Sequence, residues 1–269
     1  MRRMALAGGT YQRMQSFALS NKILSGAFTA VGFALFFAAW WIASLFSYPL
    51  LLPSPLATLD TAIDLANSGV LWWSIAISMM RILTGWLGGA IVGIPLGLLM
   101  GRVALVRDFA TPYVQGLRYI PPLAFIGLFI VWFGPGEGSK IMLVFYTSIF
   151  IVILNMMAGA GAVPEGLVRA ARTLGASEYQ VLSKIVVPAT VPYMVTGMRI
   201  GLGNAFISIA AAEMLSAQSG MGFLIWSARS LMLTDQVFVG FLVLGLLGLL
   251  SDRLFRFLTQ RLLPRYRIV

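Results

Sequence analysis

The sequence contains no cysteine and no histidine, and few of its 269 residues are charged. Without those two residue types the chain has no disulfide framework, no Cys/His zinc site, no cysteine nucleophile and no histidine acid–base catalyst. Charged residues make up 10% of the chain and hydrophobic residues 59%, whereas a soluble domain carries about 25% charged residues. The absences exclude much of enzyme chemistry, and the composition indicates a membrane protein.

Six apolar stretches approach the length that a helix needs to cross a bilayer, about 20 residues. The predicted spans are 27–46, 82–100 (bracketed by Arg81 and Arg102), 119–133 with a start before the Pro121–Pro122 break, 141–163, 192–212 and one beginning near residue 236. The first is too long for the apolar part of a signal peptide, so we expect it to be an uncleaved span. The sequence therefore predicts an all-α polytopic membrane protein with about six transmembrane helices.

The distribution of basic residues predicts the orientation of these spans. The net charge of +10 comes from 19 Lys and Arg against 9 Asp and Glu. With the N-terminus inside, only Arg81, Lys140 and Arg229 fall on the outer side, as the positive-inside rule favours. Because this distribution accounts for the net charge, we expect no nucleic-acid partner. We expect a multi-pass protein of the cell (inner) membrane with both termini in the cytoplasm.

The spans divide the chain into four predicted segments. They are a cytoplasmic N-terminal segment (1–22), a first span with an extracytoplasmic loop and helix (23–80), a core of five spans with a cytoplasmic loop at 164–190 (81–258), and a cytoplasmic basic tail (259–269). Ser54 and Pro55 are typical of the start of a short outer helix, which either lies at the interface or docks an external partner. Residues 214–228 are too short for a span and either re-enter the membrane or cap its outer mouth.

Two glycine patterns have separate interpretations. Gly85, Gly89, Gly93, Gly97 and Gly101 recur every four residues and favour close packing of the second span against another helix, rather than the lining of a pore. The run GPGEGSK, residues 134–140, does not match the order of a phosphate-binding loop and joins two spans on the outer side. We expect it to be an exposed turn.

Polar and ionisable residues near or inside the spans are candidates for a translocation pathway, because such residues are costly in lipid. They are Arg118, Asn155, Arg199, Asn204, Ser208 and Glu213. Two interpretations remain open for the arginines: they extend to the headgroups, or they attract an anionic solute.

The stretch LVRAARTLGASEYQVLSKIVVPATVP, residues 167–192, has the pattern of two short helices between spans. A helix is predicted from Pro164 to a terminating Gly175, with Glu165 placed to pair with Arg169. The opposite face is an apolar stripe, Leu167, Ala170, Ala171 and Leu174. Ser177 and Gln180 form the pattern of a capping box that begins a second helix. Pro188 and Pro192 are expected to end that second helix.

These residues resemble the EAA loop of ABC-importer permeases. Ala170, Ala171, Gly175, Ile185 and Pro188 match its pattern, whereas Arg169 replaces the usual Glu and Val187 the usual Leu. Further stretches, LPSP, IPPLAF, VWFGPGEGSK, ARTLGAS and GMRIGLGNAF…AAEML, are similar to the nitrate/sulfonate/taurine branch, and the resemblance covers residues 52–260.

The resemblance implies a type I (MetI-like) permease of an ATP-driven importer for taurine or another sulfonate. It implies a permease homodimer, two cytosolic ATPase subunits that hold ATP and Mg, an extracytoplasmic solute-binding protein and surrounding lipid, with no cofactor in this chain. The implied ATPase-coupling residues are Glu165, Leu167, Arg169, Ala170, Ala171, Leu174, Gly175, Ala176, Ser177, Ile185 and Pro188. Alternatives are a permease for nitrate, bicarbonate, a thiamine precursor or an aromatic sulfonate, a passive channel or ion-coupled carrier, and a membrane-embedded enzyme.

Overall fold

A computed structural model describes residue 28 and residues 30–266, and every regular element in these ranges is a helix. In chain order the α-helices are α1 (Ala30–Leu45), α2 (Pro55–Asn67), α3 (Val70–Arg102), α4 (Ala104–Arg118), α5 (Ile126–Phe133), α6 (Glu137–Gly161), α7 (Glu165–Thr173), α8 (Glu178–Val181), α9 (Val187–Ser216), α10 (Met221–Ser230) and α11 (Thr234–Leu262). A 3₁₀ helix, Pro122–Phe125, precedes α5, and a π-helical segment, Leu182–Val186, joins α8 to α9. The predicted segment 1–22 lies outside the described residues.

The predicted all-α polytopic architecture is confirmed. Within the described ranges, four helices are long and apolar enough to cross a membrane: α3, α6, the continuous helix Glu178–Ser216, and α11. The predicted third span is a broken one, in which α4 and Pro122–Phe133 meet at a bend of 91° across residues 119–121, just before Pro122. Helix α1, at the predicted first span, is apolar but shorter over the described residues.

Two predicted boundaries are wrong. Arg81 does not bracket the second span, because α3 begins at Val70 and carries Arg81 inside it. The helix continues past this charge because two glutamates pair with it, as described below. Pro188 and Pro192 do not end the second loop helix either, since one helix runs from Glu178 to Ser216. The π segment shifts the hydrogen bonds just before Pro188, and such adjustments let a membrane helix contain proline.

The glycine stripe of α3 packs directly on α6, as predicted. A Cβ on Gly97 would lie 2.5 Å from the Ile153 carbonyl oxygen, and one on Gly85 would lie 2.6 Å from the Ile141 carbonyl oxygen. Side chains at these positions would push the two backbones apart. The stripe is therefore a helix-packing surface, and the contact between α3 and α6 is the most extensive helix–helix contact among the described residues.

Helix α9 completes the core against α3 and α6. The cluster of buried side chains includes Ile82 of α3, Leu143 of α6 and Ile209 of α9. The Trp86 indole N–H of α3 donates to the Met198 carbonyl of α9 at 2.8 Å.

Helices α3 and α6 run parallel, because Gly85 lies beside Ile141 and Gly97 beside Ile153, and α9 runs in the opposite direction, because Gly197 lies beside Asn155 and Gly201 beside Ser148. The bundle therefore has an α7 end and an α10 end, and the continuous helix Glu178–Ser216 connects them.

Candidate functional site

Helix α7 is a short helix with a well-defined stop. Pro164 precedes its first turn, and the Glu165 carboxylate pairs with the Arg169 guanidinium at 2.7 Å, as predicted. Gly175 has φ of +84°, a conformation that a residue with a side chain rarely adopts. Its N–H donates to the Arg172 carbonyl at 2.9 Å, and the Ala176 N–H donates to the Ala171 carbonyl at 3.0 Å. These two bonds form a Schellman C-cap, which ends the helix at a fixed position.

One face of α7 packs on the bundle and the other is open. Val168 is buried in a cluster with Ala160, Val163 and Val181, which anchors α7 beneath α6 and α8. Leu167, Ala170 and Leu174 are exposed, and Leu174 is 88% exposed. Ala171, the fourth residue of the predicted stripe, is half-buried against the Val168 cluster, so the exposed part of the stripe consists of the other three residues. We call Leu167, Ala170 and Leu174 the apolar stripe of α7.

Several local interactions join α7 to α9. Ser177 and Gln180 form the predicted capping box, with the Ser177 N–H donating to the Gln180 side chain at 2.9 Å. The Arg172 guanidinium of α7 binds the Glu178 carboxylate of α8 at 2.7 Å, and this hydrogen bond raises the pKa of Arg172. Ile185 also packs against the Val168 cluster, and Pro188 lies in the first turn of α9. These contacts join α7 to the start of the long helix.

A cavity of about 450 Å³ lies among α4, α6 and α9. Its lining is Arg118, Tyr119, Pro122, Tyr146, Thr147, Phe150, Ile151, Leu154 and Asn204. The Arg118 guanidinium donates to the Tyr119 hydroxyl at 2.8 Å and has no carboxylate partner among the described residues. Ser208 donates to the Thr147 hydroxyl at 2.9 Å. The cavity thus offers a cation and neutral polar groups between aromatic walls.

The structure brings three of the six pathway candidates together and separates the others. Arg118 and Asn204 line the cavity, and Ser208 adjoins it through Thr147. Arg199 instead pairs with Asp252 of α11 at 2.5 Å. Asn155 donates within its own helix to the Ile151 carbonyl at 2.8 Å.

Glu213 belongs to a buried ion network at the α10 end. The Arg81 guanidinium, 1% exposed, binds the Glu213 carboxylate, 0% exposed, at 2.7 Å. It also binds the Glu137 carboxylate through two hydrogen bonds of 2.6 Å. The remaining Glu213 lone pairs accept from the Ser78 hydroxyl at 2.8 Å and the Gly222 N–H at 2.9 Å. We call these five residues the Arg81 network; it ties α3, α6, α9 and α10 together.

Sequence reasoning missed most of this network. The run 134–140 was expected to be an exposed turn, and the part from Gly134 to Gly136 does form a turn. Lys140, however, is 3% exposed and donates to the Pro135 carbonyl at 2.7 Å. The expectation of a turn is wrong from Glu137 onward, because α6 begins there, and the expectation of exposure is wrong for Lys140. Glu137 remains half-exposed and pairs with Arg81. The available signal was an arginine within an apolar stretch, which requires a carboxylate elsewhere in the chain.

Comparison with known proteins agrees with this architecture. Residues 93–264 match the family model described as binding-protein-dependent transport system inner membrane component. The taurine transport system permease protein TauC of Escherichia coli is 35% identical over 238 residues, covering 86% of each chain. The nitrate import permease protein NrtB of Synechocystis is 36% identical over 222 residues, covering 79% of this chain and 81% of the relative.

A solved structure has the same fold. An inward-facing form of the MetNI methionine ABC transporter contains a chain that superposes with a TM-score of 0.59 at 18% identity. The match covers 71% of this chain and 97% of that one. The two chains therefore share a fold.

Proposed function

Since the chain belongs to the family of binding-protein-dependent transport system inner membrane components, and is thus the permease of an ABC importer rather than an enzyme, we propose that its solute is taurine or another small sulfonate. The similarity to TauC supports this solute class. The cavity at Arg118 supports it too, because a sulfonate is an anion with an apolar arm and the cavity combines one guanidinium with aromatic walls. Nitrate is the second candidate, supported by the similarity to NrtB.

We propose that the α7 end faces the cytoplasm. Arg102, Arg107, Arg169 and Arg172 cluster there, whereas Arg81 and Lys140 lie at the α10 end with their charges engaged in internal hydrogen bonds. Cytoplasmic ends of spans carry the excess of basic residues. Both termini would then be cytoplasmic, and α10 would face the extracytoplasmic solute-binding protein.

The observation that carries the coupling mechanism is the apolar stripe of α7. Leu167, Ala170 and Leu174 are exposed on a helix that is capped at its end and anchored by Val168. Large apolar side chains in an aqueous loop indicate an interaction surface. We propose that this stripe docks on a cytosolic ATPase subunit, two of which serve a permease homodimer, and that ATP and Mg bind the ATPases and not this chain.

Movement of the docked α7 would alter the cavity. The long helix Glu178–Ser216 carries Asn204 on the cavity wall, and α7 is joined to its start through the Arg172–Glu178 pair. Closure of the ATPase pair would shift α7 and tilt this helix, which opens the pathway outward. Because a ligand shifts a conformational equilibrium only through different affinities for the two states, we assign most solute selection to the binding protein. Weak binding at Arg118, Thr147, Asn204 and Ser208 suits rapid passage.

The test is uptake by proteoliposomes that contain the permease, its ATPase and its binding protein. We expect ATP-dependent uptake of taurine or methanesulfonate that Arg118→Gln weakens about tenfold, the loss of one charge-assisted contact. The control Arg253→Gln removes an exposed arginine outside the cavity and should leave uptake unchanged. Uptake of nitrate but neither sulfonate would reject the solute class, and uptake without ATP would indicate a passive channel.

A further inference from the structure

A second cavity lies between α7 and the ends of the spans. Its volume is about 450 Å³, and its lining is Gly101, Arg102, Ala104, Arg107, Gly161, Val163, Glu165, Val168, Arg169 and Arg172. The α7 residues of this lining, at positions 165, 168, 169 and 172, share one helical face because residues three and four apart are neighbours. The apolar stripe lies on the opposite face. Docking of an ATPase on the stripe therefore leaves this cavity open.

The cavity has an excess of positive charge. Four guanidinium groups line it against one carboxylate, that of Glu165. Arg169 pairs with Glu165 inside the cavity, and Arg172 pairs with Glu178, which lies outside the lining. The Arg107 guanidinium and the Asp108 carboxylate lie 3.4 Å apart, farther than the 2.7 Å of the other two pairs. Arg102 forms no ion pair within the part of the chain that the structure describes.

The position of the cavity identifies the kind of anion that reaches it. Gly101 and Arg102 are the last residues of α3, and Gly161 is the last residue of α6. Both helices are apolar spans, so their ends lie where the hydrocarbon core meets the headgroup layer. Basic pockets between helices at this depth bind anionic headgroups.

We propose that this basic cavity binds the phosphodiester of an anionic phospholipid headgroup. The guanidinium groups of Arg102 and Arg107 would make charge-assisted hydrogen bonds to the phosphate oxygens, and Arg169 would complete the positive field from α7. The proposal rests on the proposed function in one respect, since it places the cavity at the cytoplasmic leaflet.

The proposal also gives a role to the arginine at position 169. The usual glutamate of the EAA pattern at this position would place a second carboxylate in the cavity beside Glu165. Arg169 instead pairs with that carboxylate at 2.7 Å and keeps the excess charge positive. A bound headgroup would then hold α7 against α3 and α6 while the apolar stripe remains free for the ATPase.

The experiment measures lipid retention by the full permease–ATPase complex. The complex is purified from nanodiscs of phosphatidylcholine with or without phosphatidylglycerol, and the retained lipid is counted by native mass spectrometry. We expect selective retention of phosphatidylglycerol that Arg102→Gln/Arg107→Gln reduces about thirtyfold, since each basic residue at an anionic surface contributes about a fivefold change. The control Arg253→Gln/Arg265→Gln removes two exposed arginines outside the cavity and should retain the lipid.

Further arms distinguish the possible outcomes. Arg102→Lys/Arg107→Lys keeps both charges and should preserve most of the lipid retention. If the glutamine variant does not fold, the lysine variant still tests the proposal, and its loss of the lipid would count against a site that recognises positive charge. Equal retention by the wild type and a folded glutamine variant would overturn the proposal. Displacement of the lipid by millimolar inorganic phosphate would overturn it in favour of a free-phosphate site. Leu174→Asp should abolish coupling to the ATPase without loss of the lipid, so failure of the coupling mechanism and failure of the lipid site give different results.

Discussion

The α10 end and the α7 end of the bundle carry ion pairs of the same length in opposite environments. At the α10 end Arg81 and Glu213 lie 2.7 Å apart and are both buried; at the α7 end Arg169 and Glu165 lie 2.7 Å apart and are both exposed. Exposed pairs contribute about 0.2–1 kcal/mol, whereas removing one partner of a buried pair costs about 3–5 kcal/mol. Similar geometry therefore has different consequences: the α10 end holds the bundle together, and the α7 end presents a surface to a partner.

The largest expected effect comes from breaking the Arg81 network. Arg81→Leu leaves the Glu213 carboxylate buried without its cation, and we expect the free energy of unfolding to fall by about 3–5 kcal/mol. Arg169→Leu, the matched change at the exposed pair, should lower it by no more than about 1 kcal/mol. Thermal denaturation of the detergent-solubilised chain measures both. Similar losses for the two variants would remove the distinction between the ends.

A smaller effect is expected where α3 meets α6. Gly97→Ala places a methyl group 2.5 Å from the Ile153 carbonyl oxygen, which should cost about 1–3 kcal/mol through overpacking. Gly127→Ala is the matched control, because nothing lies within 4 Å of the corresponding position on α5. The same denaturation assay should show the control as neutral or slightly stabilised. An unchanged Gly97→Ala variant would mean that the stripe is not the tight contact described.

The smallest expected effect is local to the α7–α8 turn. Ser177→Ala removes the N-cap acceptor of α8 and should cost about 1 kcal/mol. Hydrogen exchange of the backbone amides at the start of α8, and above all of the Gln180 N–H, should become faster. The backbone amides around the Arg81 network should exchange as slowly as in the wild type. Ser183→Ala is the control, since the Ser183 hydroxyl donates within its own helix and caps nothing. Faster exchange at both the α7 end and the α10 end would contradict the claim that the effect of Ser177→Ala is local to the α7–α8 turn.

The α7 end was predictable from sequence because its determinants are local. A terminating glycine, a capping box and an i,i+4 ion pair each lie within a few residues and act through the backbone next to them. Gly175, Ser177 and Arg169 adopt the predicted arrangements. The α3 glycine stripe was predictable for a related reason, since its four-residue period marks one helix face.

The Arg81 network was not predictable in the same way. Its five members, Ser78, Arg81, Glu137, Glu213 and Gly222, come from four helices, and only Ser78 and Arg81 lie within one helical turn of each other. The continuation of the helix through Pro188 was missed because it depends on the adjoining π segment. The cavity at Arg118 likewise forms only when α4, α6 and α9 pack together. That packing places Arg118 and Asn204 in the cavity lining and leaves Arg199 and Asn155 out of it.

The most direct test of the central claim is ATP-driven uptake by Leu174→Asp in the reconstituted complex. Leu174 is 88% exposed, so we predict that the variant keeps wild-type thermal stability. Uptake and solute-stimulated ATP hydrolysis should both fall at least about tenfold, because a charge would be buried at an interface hot spot. Thr173→Asp adds the same charge to an exposed position beside the stripe and should retain most activity. Full uptake by the Leu174→Asp complex would contradict the assignment of the apolar stripe of α7 as the surface through which the ATPase moves the long helix.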